Sequence, residues 1–239
     1  AMSGNLQIER GDRAYVRDYV NESDQEAILE SIRDAARRSD VVIATLHTHE
    51  GENENWYATY APKFVEEFAR KTIDAGATCF VGQGAHFPRG VEVYKGCPIF
   101  YNLGSLLMEF ESGESMISPE MYETYHLGPD AHPSDLHSNR ARKPDGSWNG
   151  FYSERRFSTN FLVVLDIDEE GANYEIVPLD LDMHREDNLR RGLPEVSTPE
   201  EGKKFADYLA HASERYGVAF AYCEETGAIS FDALSLIHI

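Results

Sequence analysis

A layered α/β sandwich is the fold class this sequence predicts, and three observations predict it. Two β-branched apolar runs, "DVVIATL" and "TCFV", each follow a segment of helical spacing, the order expected of an α/β sheet with parallel neighbours. Later segments alternate in pairs around short turns, as antiparallel hairpins do. A chain of 239 residues with 41% hydrophobic content is also long enough for one sizeable core and short for two.

Each element has a local reason. Ser23 and Glu26 form a capping box, and Ile28, Ile32, Ala35 and Ala36 recur on one face, which predicts a helix over about 24–38. "DVVIATL" follows as a short strand, read as buried on both faces. Pro62 suits a first helical turn, Phe64, Val65, Phe68, Thr72 and Ile73 repeat at helical spacing, and Gly76 closes that helix. "TCFV" at 78–81 is the second strand. "VEVY" and "PIFYNLG" pair around Lys95 and Gly96, and "FLVVLDID" pairs with "NYEIVPLDL". Residues 111–158, with His126, His132 and His137, lack sustained periodicity and are too long for a plain connector, so they read as a binding loop or a surface excursion. A second capping box, Ser197 with Glu200, opens a helix presenting Phe205, Leu209, Ala212 and Tyr216 and ending at Gly217. "AFAYC" and "AISFD" make the last hairpin.

Composition removes several function classes. With 42 acidic and 22 basic residues the formal net charge is −20, a field that repels phosphate backbones, so no nucleic-acid partner is expected. Only six of the basic residues are Lys, an acid-rich, Lys-poor balance that suits saline surroundings. The melting temperature is therefore expected to rise in molar salt; a thermal scan in which it stays put counts against that adaptation. Cys79, Cys97 and Cys223 are odd in number and widely spaced, which indicates neither a zinc knuckle nor a disulfide framework. No nucleophile elbow and no phosphate-binding P-loop motif occur.

The chemistry gathers at two strand ends. "VVIATLHTHEG" finishes in His47, His49 and Glu50, and an extended backbone through Thr48 points both imidazoles the same way. "GQGAHFPRG" brings Gln83 and His86 to the same edge of the sheet, with Gly82, Gly84 and Gly90 expected to let the backbone turn His86 inward. Ligands of open α/β sheets collect beyond the carboxyl ends of strands, and imidazole is the commonest metal ligand, so a metal site is the sharper reading. The blander reading of each histidine alone is a hydrogen-bonded or exposed loop residue, and His126, His132 and His137 are weaker candidates still.

Together these motifs resemble a known family. "ATLH", "IDAGAT", "GQGAH", "GVEVYKGCPIFY" and "NLGSL" are similar to the signatures of the CapA family of capsule and poly-γ-glutamate synthesis proteins. The resemblance is closest over residues 21–107 and weaker to about 232. It implies an α/β/β/α sandwich of the calcineurin-like metallophosphatase type, with metals held by strand-end loops. It further implies His47, His86 and Gln83 as metal positions, beside which Glu50 or His49 is expected to relay protons as general acid or base. The cofactor implied is a divalent metal ion (manganese, zinc or iron), with a dinuclear site in the full-length protein. Gln83 stands where the family has histidine and Ser105 where it has asparagine, which weakens one metal position.

The family's opening ligand elements find no counterpart in residues 1–40, so the chain reads as an N-terminally truncated domain. On that reading 1–20 is a remnant segment, 21–232 the CapA-like domain with 111–158 as an irregular insertion, and 233–239 a non-native tail. Ala1 to Gly4 look like a cloning remnant. The function implied is metal-dependent, phosphoesterase-like hydrolysis in cell-surface anionic polymer synthesis, at the cell surface or membrane in the full protein. The partners implied are an anionic polymer or a small phosphoester substrate, and other polymer-synthesis components. A non-catalytic polymer-binding component with a degenerate metal site is the alternative. Oligomeric state is not readable from the sequence.

Overall fold

The computed structural model describes residues 10–13, 15, 18–108, 117–168, 171–187 and 189–233. Residues 1–9 and 234–239, which make up much of the two predicted end segments, therefore lie outside the described residues. The chain folds as mixed α/β with two sheets. The first contains β1 (Ile43–His47), β2 (Cys79–Gln83), β4 (Cys97–Phe100) and β3 (Val91–Tyr94), in that spatial order. β1, β2 and β4 run parallel and β3 returns antiparallel to β4. The β3–β4 turn falls at Lys95 and Gly96, both at positive φ (53° and 81°), as a two-residue hairpin turn requires.

The second sheet is antiparallel. It is built from β5 (Thr159–Asp168), β6 (Gly171–Asp180), β9 (Ile229–Ala233) and β8 (Val218–Tyr222), with β7 (Glu195–Val196) pairing β6. Helix α2 (Lys63–Asp74) lies against the first sheet, and α1 (Glu22–Ala36) packs beside α2 and brings Ile32 to the same core. Val65, Ala69 and Ile73 of α2 pack on Phe80, Ile99 and Tyr101 there. The second core contains Val91 and Phe100 of the first sheet and Phe161, Ile176 and Ile229 of the second. Helix α5 (Pro199–Ala212) adds Phe205, Ala206 and Leu209 to it. Among the described residues no helix is long and apolar enough to cross a membrane.

Several local expectations are corrected. Helix α1 starts at Glu22, capped by the Asn21 side chain, which accepts from the Ser23 and Asp24 N–H groups at 3.0 and 3.2 Å. Likewise Thr198, and not Ser197, caps α5, accepting from the Glu201 N–H. The buried residue of α1 is Leu29, whereas Ile28 is half exposed. Strand β1 is not buried on both faces: Ala44 is buried but Ile43 is 52% exposed. The reason is position, since β1 has β2 on one side and no strand partner on the other among the described residues. The excursion after residue 111 is also more regular than expected. It holds α3 (Pro119–Thr124), α4 (Pro133–Ala141) and single 3-10 turns at Gly150–Tyr152 and Arg155–Phe157.

A buried polar seam joins the layers. Arg70 of α2 donates two hydrogen bonds to Glu92 of β3, at 2.8 and 3.0 Å, and the Tyr101 hydroxyl donates to the same carboxylate at 2.5 Å. The Tyr101 ring lies 4.9 Å from that of Tyr216, whose hydroxyl donates to Glu66 at 2.5 Å. Burial pushes the Tyr101 and Tyr216 phenols above their ordinary range, and pushes Tyr174 and Tyr208 up to about 12. The folded state thus keeps protons that the unfolded chain releases near the ordinary value of 10.0. Stability fully present below that pH is lost as pH rises from it through the higher folded-state values. Arg89 opposes the trend, because burial lowers its pKa to about 10, but one such group is outnumbered by four phenols. The urea midpoint is expected to fall steadily above roughly pH 10, with tyrosinate absorbance rising together with unfolding. Phenols ionising well before the structure is lost would contradict this.

Candidate functional site

The two parallel strand ends set the site. His47 closes β1 in register with Gln83 closing β2, and register partners on adjacent strands project from the same face. The ladder runs one residue further, the Thr48 N–H donating to the Gln83 carbonyl at 2.8 Å. That bond keeps the chain extended past His47 and brings His49 round to the same side.

The next turn depends on Gly84. Its φ of +112° is open to glycine, and a Cβ there would lie 2.6 Å from the Thr48 oxygen and 2.8 Å from His49 Cδ2. The two loops therefore touch. His86 itself is left-handed, with φ +64°, which turns its ring back toward the β1 end. Gly82 and Gly90, expected to serve the same bend, are needed for close approach instead, against Tyr101 and Ala212 respectively.

Three imidazoles gather as a result. His47 and His49 have ring centroids 5.2 Å apart, and His49 and His86 5.7 Å. Nε2 of His47 faces Nε2 of His49 at 3.3 Å. His86 is half-buried, and its Nδ1 lies 3.1 Å from Ser105 Oγ. Ser105 is placed in turn by Asn160 of β5, whose Oδ1 accepts from the Ser105 N–H at 2.9 Å. Burial, then the neighbouring His49 and His47, lowers the His86 pKa. Phe151, from the excursion, closes one side with its ring 5.2 Å from that of His86. Trp56 and Phe157 stand behind it.

The other predicted residues take lesser positions. Glu50 is exposed at the rim, where its carboxylate accepts a hydrogen bond from the Thr48 hydroxyl. Gln83 is exposed beside His47. His126 follows the Tyr125 cap of α3 at positive φ, and His132 precedes α4, its N–H donating to Asp135 at 2.8 Å. The side chain of His137 lies outside the described residues. Three contributors escaped sequence reasoning: Phe151, Asn160 and Arg89. No spacing rule connects them to the histidines; Arg89, within "AHFPRG", was the nearest to a signal.

The donor set fits a metal in part. Two imidazole nitrogens about 2.0–2.1 Å from one ion at a tetrahedral angle would stand roughly 3.3–3.4 Å apart. The His47–His49 separation of 3.3 Å matches that spacing. His86 has Nε2 left for a ligand once Nδ1 is engaged by Ser105, the usual outer support of a metal-bound imidazole. Yet among the described residues no group of three or more His, Cys, Asp or Glu side chains is arranged to hold an ion. Two imidazole nitrogens in hydrogen-bonding contact stand at that separation, with a third imidazole beside them.

Comparison with known proteins shows similarity to one family over the first part of the chain. A model of the family described as bacterial capsule synthesis protein PGA_cap matches residues 4–109. A protein of Sinorhizobium fredii, y4sH, itself described as uncharacterized, is 28% identical over 215 residues, covering 88% of this chain and 45% of that protein. The PGA biosynthesis protein CapA of Bacillus subtilis is 30% identical over 105 residues, 44% of this chain and 26% of that one. A probable polyglutamine synthesis accessory protein of Mycobacterium tuberculosis, Rv0574c, is 36% identical over 75 residues, 31% and 18% of the two chains. The chain thus spans less than half the length of these relatives.

Proposed function

Since residues 4–109 match the family described as bacterial capsule synthesis protein PGA_cap, we propose that this chain is a CapA-like protein that serves the synthesis of an anionic cell-surface polymer of the poly-γ-glutamate kind. We further propose that its strand-end imidazoles form a hydrolytic, metal-dependent site. The observation that carries this reading is the 3.3 Å approach of the His47 and His49 nitrogens. His86 would complete the set, and Gln83, an amide in place of an imidazole, would be its weakest member. A divalent ion of the manganese, zinc or iron type, when bound, lowers the pKa of water and polarises an acyl or phosphoryl oxygen.

The remaining work falls to side chains. Ser105 holds the His86 ring through Nδ1, which leaves Nε2 for a ligand. Phe151 and Trp56 shield one flank from water, which strengthens charge interactions there. Glu50, exposed and hydrogen-bonded by Thr48, would take or give a proton at its carboxylate oxygen, the role the sequence reading shared with His49, which here would serve as a ligand instead.

The absence of a preformed three-ligand group among the described residues favours a second reading, in which the site binds polymer without cutting it. One experiment separates them. Purified protein is assayed for bound metal and for hydrolysis of a chromogenic phosphodiester and of a γ-glutamyl oligomer. Stoichiometric manganese, zinc or iron with turnover of either substrate supports the hydrolase. Oligomer binding with neither metal nor turnover supports the binding component.

A further inference from the structure

We propose that Arg89 is a positioning residue, whose buried guanidinium ties the loop carrying His49 and Glu50 to the loop carrying His86 and so sets the imidazole constellation. The inference rests on the reading of these histidines as a working site.

Arg89 is 1% exposed, in a chain that keeps its charges mostly at the surface. Its Nη1 donates to the Glu50 carbonyl at 2.7 Å, and its Nη2 to the Trp56 carbonyl at 3.2 Å. Its own N–H donates to the Asn102 carbonyl at 3.0 Å. Nε finds no acceptor among the described residues. Burying a cation whose hydrogen-bond partners are neutral carbonyls is costly, and the protein carries 42 acidic residues that an ion pair could have drawn on. A stability role alone is therefore a poor account of it.

Placement gives a better one. Arg89 lies three residues beyond His86, and its first acceptor, Glu50, lies one residue beyond His49. One side chain thus spans the two strand-end loops. The segment it grips has little regular structure: a single 3-10 turn at Glu52–Glu54, with Asn53 and Glu54 at positive φ. The two gripped carbonyls flank that turn. The planar fork of arginine reaches both at once, which a lysine ammonium, a single point charge, does not reproduce. Arg215 restrains the same turn from outside, donating to Glu52 at 2.7 Å, but makes no bridge to the His86 loop.

The test uses Arg89→Lys and Arg89→Met in the whole chain without added metal. Imidazole Cε1–Hε1 resonances of His47, His49 and His86 are assigned by single His→Gln variants, and amide exchange is followed across 50–58. For Arg89→Lys the expected result is native circular dichroism, displaced or broadened His49 and His86 resonances, exchange at 50–58 at least about tenfold faster, and unchanged exchange in β5 and β6. Wild-type ring resonances and wild-type exchange at 50–58 in a folded Arg89→Lys protein would overturn the proposal. Should Arg89→Met fail to fold, Arg89→Lys alone decides. Because these readouts need no metal, failure of the wild type to bind zinc or manganese would overturn the metal reading and leave the positioning role of Arg89 standing.

Discussion

Alanine at His47 or at His49 is expected to weaken zinc binding by about 100-fold or more, whereas alanine at His86 is expected to cost nearer tenfold. The asymmetry follows from geometry. On the proposed metal reading, His47 and His49 present two nitrogens at the separation of two ligands on one ion, so losing either leaves a single imidazole. The His86 ring, 5.7 Å from that of His49, has to shift to join them, so its contribution is smaller. Gln83→His, which supplies the imidazole the family resemblance implies there, is expected to raise affinity by about tenfold, since imidazole replaces a poor amide ligand. Competition against a chromogenic chelator at pH 7.5 measures all four. If His86→Ala abolishes binding while His47→Ala leaves it untouched, the ion sits elsewhere and the chelate assignment fails.

Gly82→Ala is expected to be strongly destabilising. Gly82 lies in β2, between β1 and β4, and a Cβ there would stand 2.0 Å from the Tyr101 carbonyl oxygen and 2.7 Å from its carbon. Both obstacles are backbone, so neither can rotate away and relief requires the strands to separate. Overpacking of this kind costs about 3 kcal/mol or more, which for a chain of this size lowers the melting temperature by roughly 6–12 °C. Gly96→Ala is the control. At φ +81° it is strained, but nothing lies within 4 Å of the new methyl, so the loss should be only about 1 kcal/mol. Equal melting temperatures for the two variants would refute the steric argument.

The sequence was most legible where a single local signal sufficed. Apolar runs located β1 and β2, and the Lys95–Gly96 pair located the first hairpin, because strand length and turn chemistry are local properties. Helix ends were less legible: Asn21 and Thr198 each cap one or two residues away from the serine that the capping-box pattern selects. Which polar side chain reaches the free N–H groups depends on the approach of the preceding chain. The exposure of Ile43 was illegible for another reason, since burial on the outer face of β1 depends on a neighbour that pattern alone does not supply. Helices α3 and α4 are short and have no sustained apolar stripe, so periodicity could not find them. His47, His49 and His86 could be assigned to one edge because strand polarity is readable. Arg89 could not be placed, because a cation in a Gly- and Pro-bounded segment reads as surface until the Glu50 and Trp56 carbonyls are folded over it.

The hydrogen bond from the Ser105 amide to Asn160 carries a last consequence. It makes the aim of the His86 ring answerable to a strand of the opposite sheet, more than fifty positions downstream. Were the β5–β6 hairpin to swing free while α1, α2 and the first sheet stayed together, helix content would hardly change, yet the third imidazole would lose its brace. Nicking or loosening that hairpin should therefore silence the histidine cluster early, well before the bulk of the molecule melts.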